Sequence, residues 1–201
     1  MTRGAAGRAA WVGVALLLAA VALVGWPVPR DALDWQPGRA FTEPWRAVTA
    51  VGVHYSGQHL GVNLAGLVVT ALFGVVARAP VLLAWAWLAA WPLTQFGLLA
   101  KPELLHYGGL SGVLHAGFAV VVVFLLAVGT RAQRWIASAV LIGGGAKLLN
   151  ETPWGPALRH PAGWDIAIAP LAHTTGALAG GVCAVIALGW SRRARTTSTQ
   201  P

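Results

Sequence analysis

The chain has 201 residues, of which 57% are hydrophobic and only 10% charged, with a formal net charge of +8. That balance lies outside the range of an ordinary soluble domain and points to an integral membrane protein. The basic residues fall in short segments between apolar stretches instead of on one soluble face, which argues against nucleic acid as a partner.

Five stretches contain no Asp, Glu, Lys or Arg: residues 11–29, 47–77, 79–100, 107–130 and 166–191. A sixth, 135–150, is interrupted only by Lys147. A spanning helix needs ~20 apolar residues, so the pattern predicts an all-α integral membrane protein with six transmembrane helices. They form one domain over residues 11–190, between tails at 1–10 and 191–201. The first stretch has a second reading: Arg3, Arg8, the apolar run and the small residues Ala20 to Ala22 also fit a cleaved signal peptide. The run to Val28 is long for a signal segment, which favours an uncleaved helix.

Pro27, Pro29 and Pro37 with the charges of 30–46 mark a first outer loop, whose Trp35, Phe41 and Trp45 suit the headgroup level. Arg78-Ala79-Pro80 joins the second and third stretches, Lys101-Pro102-Glu103 leaves the third, and Gly108-Gly109 opens the fourth. Residues 152–165, with Pro153, Pro156, Pro161 and Asp165, form the last outer loop, and the polar end at 196–201 is expected to be disordered. The lone Cys183 has no partner for a disulfide or a metal and reads as a small packing residue.

Charge sets the orientation. The two tails and alternate loops collect Arg3, Arg8, Arg78, Arg131, Arg134, Arg192, Arg193 and Arg195 without any acid. The opposite side holds Arg30, Arg39, Arg46, Lys101 and Arg159 with all six acids. Lys and Arg near the spans mark the cytoplasmic side, so both termini are expected there.

With that orientation the second, fourth and sixth helices begin at the outer face, and each carries polar residues early: His54, His59 and Asn63; Ser111 and His115; His173. Such groups cost ~3 kcal/mol or more in lipid and are functional hypotheses by default. Ser111 and His173 can act as nucleophile and base if their helices nearly touch. Small residues permit this: Gly176 and Gly180 share a face with His173, and Gly112 and Ala116 are four apart. The simpler alternative is that the glycines only pack helices and Ser111 bonds its own backbone. His59 and Asn63, at i and i+4, offer donors for an oxyanion, with the Ser111 N–H and the amino-terminal dipole of its helix. Their alternative is a polar packing pair or, less well, a metal set, since carboxylates are missing from these spans.

Pro44-Trp45-Arg46, the spacing His54-x₄-His59-x₃-Asn63, Gly109-Leu110-Ser111-Gly112 and Ala172-His173-x₂-Gly176-x₃-Gly180 resemble the rhomboid intramembrane serine proteases over residues 44–188. The resemblance implies a six-helix rhomboid-like bundle and a Ser111–His173 dyad without a carboxylate. It also implies an oxyanion site from His59, Asn63 and backbone groups around Gly109 and Leu110, with His54 in support. The run Gly109-Leu110-Ser111-Gly112-Val113-Leu114-His115, Lys147-x₃-Glu151, and Gly163-Trp164-Asp165 ahead of His173 resemble the rhombosortase branch in particular. Many rhomboids carry Tyr where His115 stands, and packing of His115 on His173 is favoured over proton transfer because one base suffices.

Lys147 and Glu151, again i and i+4, fit either an intramembrane ion pair or a substrate-reading pair. Asp165 is a candidate third triad member, but its place in a loop disfavours this. The expected function is a serine endopeptidase of the bacterial inner membrane, with its active site towards the periplasmic face and no cofactor or metal. Its partners are the lipid bilayer and single-pass membrane proteins; the rhombosortase resemblance implies exported proteins ending in Gly-Gly, an apolar anchor and a basic tail. Alternatives are a general rhomboid protease of other single-pass substrates and a non-proteolytic client-binding relative. A small transporter would place its polar residues near the midplane on broken helices.

Overall fold

The computed structural model describes residues 2–197. It is all-helical, with 72% of residues in helix. The elements are α1 (Arg3–Gly25), α2 (Arg30–Leu33), α3 (Arg46–Thr49), α4 (Gly57–Val76), α5 (Val81–Phe96), α6 (Ser111–Val128), α7 (Arg131–Asn150) and α8 (Pro170–Thr197). Five segments, Gly4–Gly25, Gly57–Val76, Val81–Ala100, Ser111–Val128 and Pro170–Ser191, are long and apolar enough to cross a membrane. The sixth anticipated span is a helix too, α7, started by a capping box in which Thr130 and Gln133 exchange side-chain and backbone bonds. Its 20 residues are less apolar than those of the other five, and Ala137 is its one buried residue.

Large apolar side chains on the outward faces, such as Leu16, Val76, Trp85, Ile142 and Trp190, are exposed, whereas Thr70, Thr94, Gln95, Asn63 and His173 are buried. This inverted distribution suits a bundle that meets hydrocarbon outside and keeps its polar side chains within. The larger core is built on Trp11 stacked against Trp87, ring centroids 4.5 Å apart. Both indoles satisfy their N–H, Trp11 on the Thr70 carbonyl at 3.2 Å and Trp87 on the Val113 carbonyl at 2.8 Å. A smaller cluster contains Trp35, Leu98, Leu104, Tyr107 and Ala172.

The charge-free stretches overestimate the helices at their outer ends. Residues 47–56 make α3, a 3-10 turn Ala50–Gly52 and an extended segment before Ser56 caps α4, its Oγ accepting the His59 N–H at 3.0 Å. His54 therefore lies on the approach to α4, not on the helix with His59 and Asn63. The aromatic reading of the first loop also needs correction: Phe41 and Trp45 are exposed, but Trp35 is fully buried, edge-on to Phe96 at 5.1 Å. Under it Arg46 is buried too, its guanidinium donating to the Asp31 and Asp34 carbonyls, each at 2.9 Å, and pairing with Asp34 and Glu43. At the carboxyl end α8 continues through Thr197, so 196 and 197 are helical; residues 198–201 of the anticipated disordered tail lie outside the described residues.

Candidate active site

Ser111 is the first residue of α6, and the turn before it is fixed by three backbone hydrogen bonds. Tyr107 exchanges both backbone hydrogen bonds with Trp35, at 2.7 and 2.8 Å, and the Gly109 N–H donates to the Ala50 carbonyl at 3.0 Å. Gly109 itself has φ +130°, and a Cβ there would lie 2.8 Å from the His59 ring, so both its backbone and its neighbour require glycine. Leu110, fully buried, is the cap residue of α6. The N–H groups of a first helical turn have no partners within the helix, and here they open at the serine.

His173 is brought to Ser111 by backbone contact between α6 and α8. A Cβ on Gly176 would overlap the carbonyl of Gly112, one on Gly180 would overlap that of Ala116, and one on Gly112 would lie 2.8 Å from the Ala172 carbonyl. With the two helices this close, Ser111 Oγ–H donates to His173 Nε2 at 3.0 Å, within the reach expected of a nucleophile and its base.

The other face of His173 differs from the expectation of a bare dyad. Its Nδ1–H donates to Glu151 Oε2 at 2.6 Å, while Lys147 Nζ donates to Glu151 Oε1 at 2.7 Å. Lys147 Nζ also lies 3.1 Å from His115 Nε2, and His115 Nδ1 lies 2.7 Å from the Ser111 carbonyl. A carbonyl only accepts, which makes Nδ1 the donor and leaves Nε2 to accept from Lys147. The His115 ring stacks on that of His173, centroids 4.4 Å apart and planes 18° off parallel. Burial works against ionisation of Glu151, but the hydrogen bonds from His173 and Lys147 and the charge of Lys147 outweigh it and hold the carboxyl below the usual carboxylate range. Asp165 is not on His173. It accepts from Ser56 Oγ at 2.8 Å and ties the last loop to the start of α4, helped by Gln58 donating to the Gly163 carbonyl at 3.2 Å.

His59 Nδ1 accepts the Tyr55 N–H at 3.3 Å, so in the neutral ring the proton is on Nε2, on the side of the Gly109 turn. Asn63 is buried one turn further along α4, and its Nδ2 has no hydrogen-bond partner among the described residues. A buried donor without a partner costs about 1–3 kcal/mol, so its retention beside the serine turn fits a donor that is used only when charge develops. His54 packs on His59 with ring centroids 4.8 Å apart, and burial holds its imidazole down at about 4, in the neutral form.

Two cavities meet at the serine. The larger, about 950 Å³, runs between α4, α6 and α7 and is lined by His59, Asn63, Phe118, Val122, Leu141 and Glu151 among others. The smaller, about 370 Å³, lies towards the outer loops beside Arg30, Tyr55, His106, Tyr107 and Asp165. Ser111, His59 and His173 line both. Of the residues expected at the site, Ser111, His173, His59, Asn63, His115, Lys147 and Glu151 all line the larger cavity, Gly109 and Leu110 form the turn, and His54 stands behind His59. Sequence reasoning did not place Glu151 on His173. The signal was present in the depth of Glu151, at the outer end of one helix, against His173, at the outer start of the next. Tyr107, also missed, lines the smaller cavity with its hydroxyl buried, and burial pushes that group up to about 12.

Among the described residues one cluster, Asp31, Asp34 and His106, brings possible metal-ligand atoms within 4.8 Å of one another. Asp34 is already engaged by Arg46, Gln36 and His106, so the group is satisfied as an ion-pair network. Comparison of the chain with protein-family models, with curated proteins and with solved structures finds no match.

Proposed function

We propose that this protein is an intramembrane serine endopeptidase of the rhomboid type, with α7 as the sixth span beside the five more apolar helices. The observation that carries the reading is the 3.0 Å contact of Ser111 Oγ with His173 Nε2, opening into a largely apolar cavity of about 950 Å³. Ser111 Oγ attacks the scissile carbonyl while His173 Nε2 takes its proton. The oxyanion is met by the Ser111 backbone N–H, His59 Nε2–H and Asn63 Nδ2–H. His173 then gives the proton to the leaving amine, and water activated by the same imidazole releases the acyl group. No cofactor enters these steps.

The distribution of Arg favours cytoplasmic termini and a site towards the outer face of a bacterial inner membrane. A transmembrane substrate has its backbone groups paired within its own helix, so the scissile segment must unwind, which glycines favour. The sequence resemblance to rhombosortases makes exported proteins ending in Gly-Gly, an apolar anchor and a basic tail the proposed substrates.

The test is labelling of the detergent-purified protein by a fluorophosphonate probe. The wild type is expected to label, and Ser111→Ala and His173→Ala to remain blank, because members of such a unit fail together. Equal labelling of all three proteins would exclude the protease reading. Failure of the labelled wild type to process an exported Gly-Gly reporter would remove the substrate assignment and leave the endopeptidase standing.

A further inference from the structure

We infer that Glu151 is a positioning residue for His173, completing a Ser111–His173–Glu151 triad, and that Lys147 braces it. The inference rests on the endopeptidase reading and departs from the carboxylate-free dyad that the sequence resemblance implies. It stands on a closed ring of contacts. Glu151 Oε2 takes the Nδ1–H of His173 at 2.6 Å, which fixes the tautomer with Nε2 free to receive the Ser111 proton. Glu151 Oε1 is held by Lys147 Nζ at 2.7 Å, so the carboxylate cannot rotate away without breaking an ion pair. Lys147 reaches on to His115 Nε2 at 3.1 Å, and His115 holds its ring against His173 while donating to the carbonyl of the nucleophile itself. An imidazolium formed on His173 during acylation therefore faces a carboxylate on one edge and a neutral imidazole on its face.

The backbone at Glu151 is fixed as well. Arg159 donates to the Asn150 carbonyl at 3.2 Å, the Glu151 carbonyl at 2.9 Å and Thr152 Oγ1 at 3.0 Å, which closes the carboxyl end of α7. A carboxylate whose only task was to neutralise Lys147 would need neither the second oxygen on His173 nor this anchoring. The proton balance is that of any such triad. Ser111 loses its proton to His173 Nε2, the Nδ1 proton stays on His173, and Glu151 remains a carboxylate throughout.

The experiment is the second-order rate constant of fluorophosphonate acylation, measured on the full-length protein in detergent. The variants are Glu151→Gln, Glu151→Asp and Lys147→Met, with Ser111→Ala as the blank. Glu151→Gln is expected to slow acylation about 10²- to 10⁴-fold, since an amide cannot hold the same tautomer. The groups facing His173 are otherwise unchanged in that variant: Ser111 and His115 on α6, His59 on α4 and Lys147 on α7. Glu151→Asp should recover much of the rate, and Lys147→Met should lose about tenfold, as for one charge-assisted bond. Partial unfolding lowers the labelled amount but does not change the rate constant of the folded fraction, so a merely structural Glu151 is distinguishable. Acylation of Glu151→Gln at the wild-type rate overturns the triad alone; a wild type that labels no better than Ser111→Ala overturns the endopeptidase reading beneath it.

Discussion

The two helices that meet α6 beside the serine are held in opposite ways. α8 lies against α6 backbone to backbone, with Gly176 and Gly180 facing carbonyls that leave no room for a Cβ. α7 buries only Ala137, and its central Gly143, Gly144 and Gly145 have nothing within 4 Å of where a Cβ would stand. Glycine thus serves two purposes in one site. On the tight side it sets the distance between Ser111 and His173, which on the proposed reading are nucleophile and base, and an error of 1 Å there costs about 10²-fold in rate. On the loose side it leaves a smooth wall to the large cavity, where the proposed substrate would be accommodated. Glu151 stands at the carboxyl end of the loose helix, where Lys147, His173 and Arg159 restore the order that packing does not supply.

The contrast can be broken most severely at Gly176. Gly176→Val must push α8 off the Gly112 carbonyl, and labelling by the fluorophosphonate probe is expected to fall by more than about 10²-fold. The melting temperature should drop with it, since overpacking of this kind costs about 1–3 kcal/mol. Labelling near the wild-type level would show that the close contact does not set the geometry of the site.

Asn63→Ala probes the side chain that packing does not explain. Acylation should slow about 10²- to 10³-fold, the usual cost of one oxyanion donor, without a fall in melting temperature, because Nδ2 has no partner to lose. A drop in melting without a kinetic defect would make Asn63 a packing residue.

The smallest effect is expected at Gly144→Ala, on the loose side. The new methyl meets no neighbour within 4 Å, helix propensity improves by about 1 kcal/mol, and probe labelling should stay within about twofold. A loss comparable to that at Gly176 would abolish the distinction between the two helices.

What was legible in the sequence follows from the same physics. Ser111, His173, His59 and Asn63 stand out because a polar group in an apolar stretch is conspicuous, and the glycine spacing after His173 predicts the close contact of α6 with α8. The ends of the helices are not legible from charge alone. An apolar run carries no record of where Ser56 caps α4 or where Gly109 turns, so the sequence puts His54 on a helix that it only precedes. Composition cannot distinguish an interfacial indole from one that packs on Phe96, as Trp35 does. The bond from Glu151 to His173 spans 22 residues through a loop of prolines, and pairing across such a loop depends on a path that local periodicity does not encode.

The meeting of the two cavities at Ser111 has a kinetic meaning on the proposed reading. Ser111 and His173 line both, so the ester formed on Ser111 is approached from two compartments. The leaving amine remains attached to an anchor on the apolar side, while water reaches the ester past Tyr55, His106 and Asp165 on the polar side. Deacylation then need not wait for the first product to diffuse away, and turnover is limited by separate doors instead of a shared one.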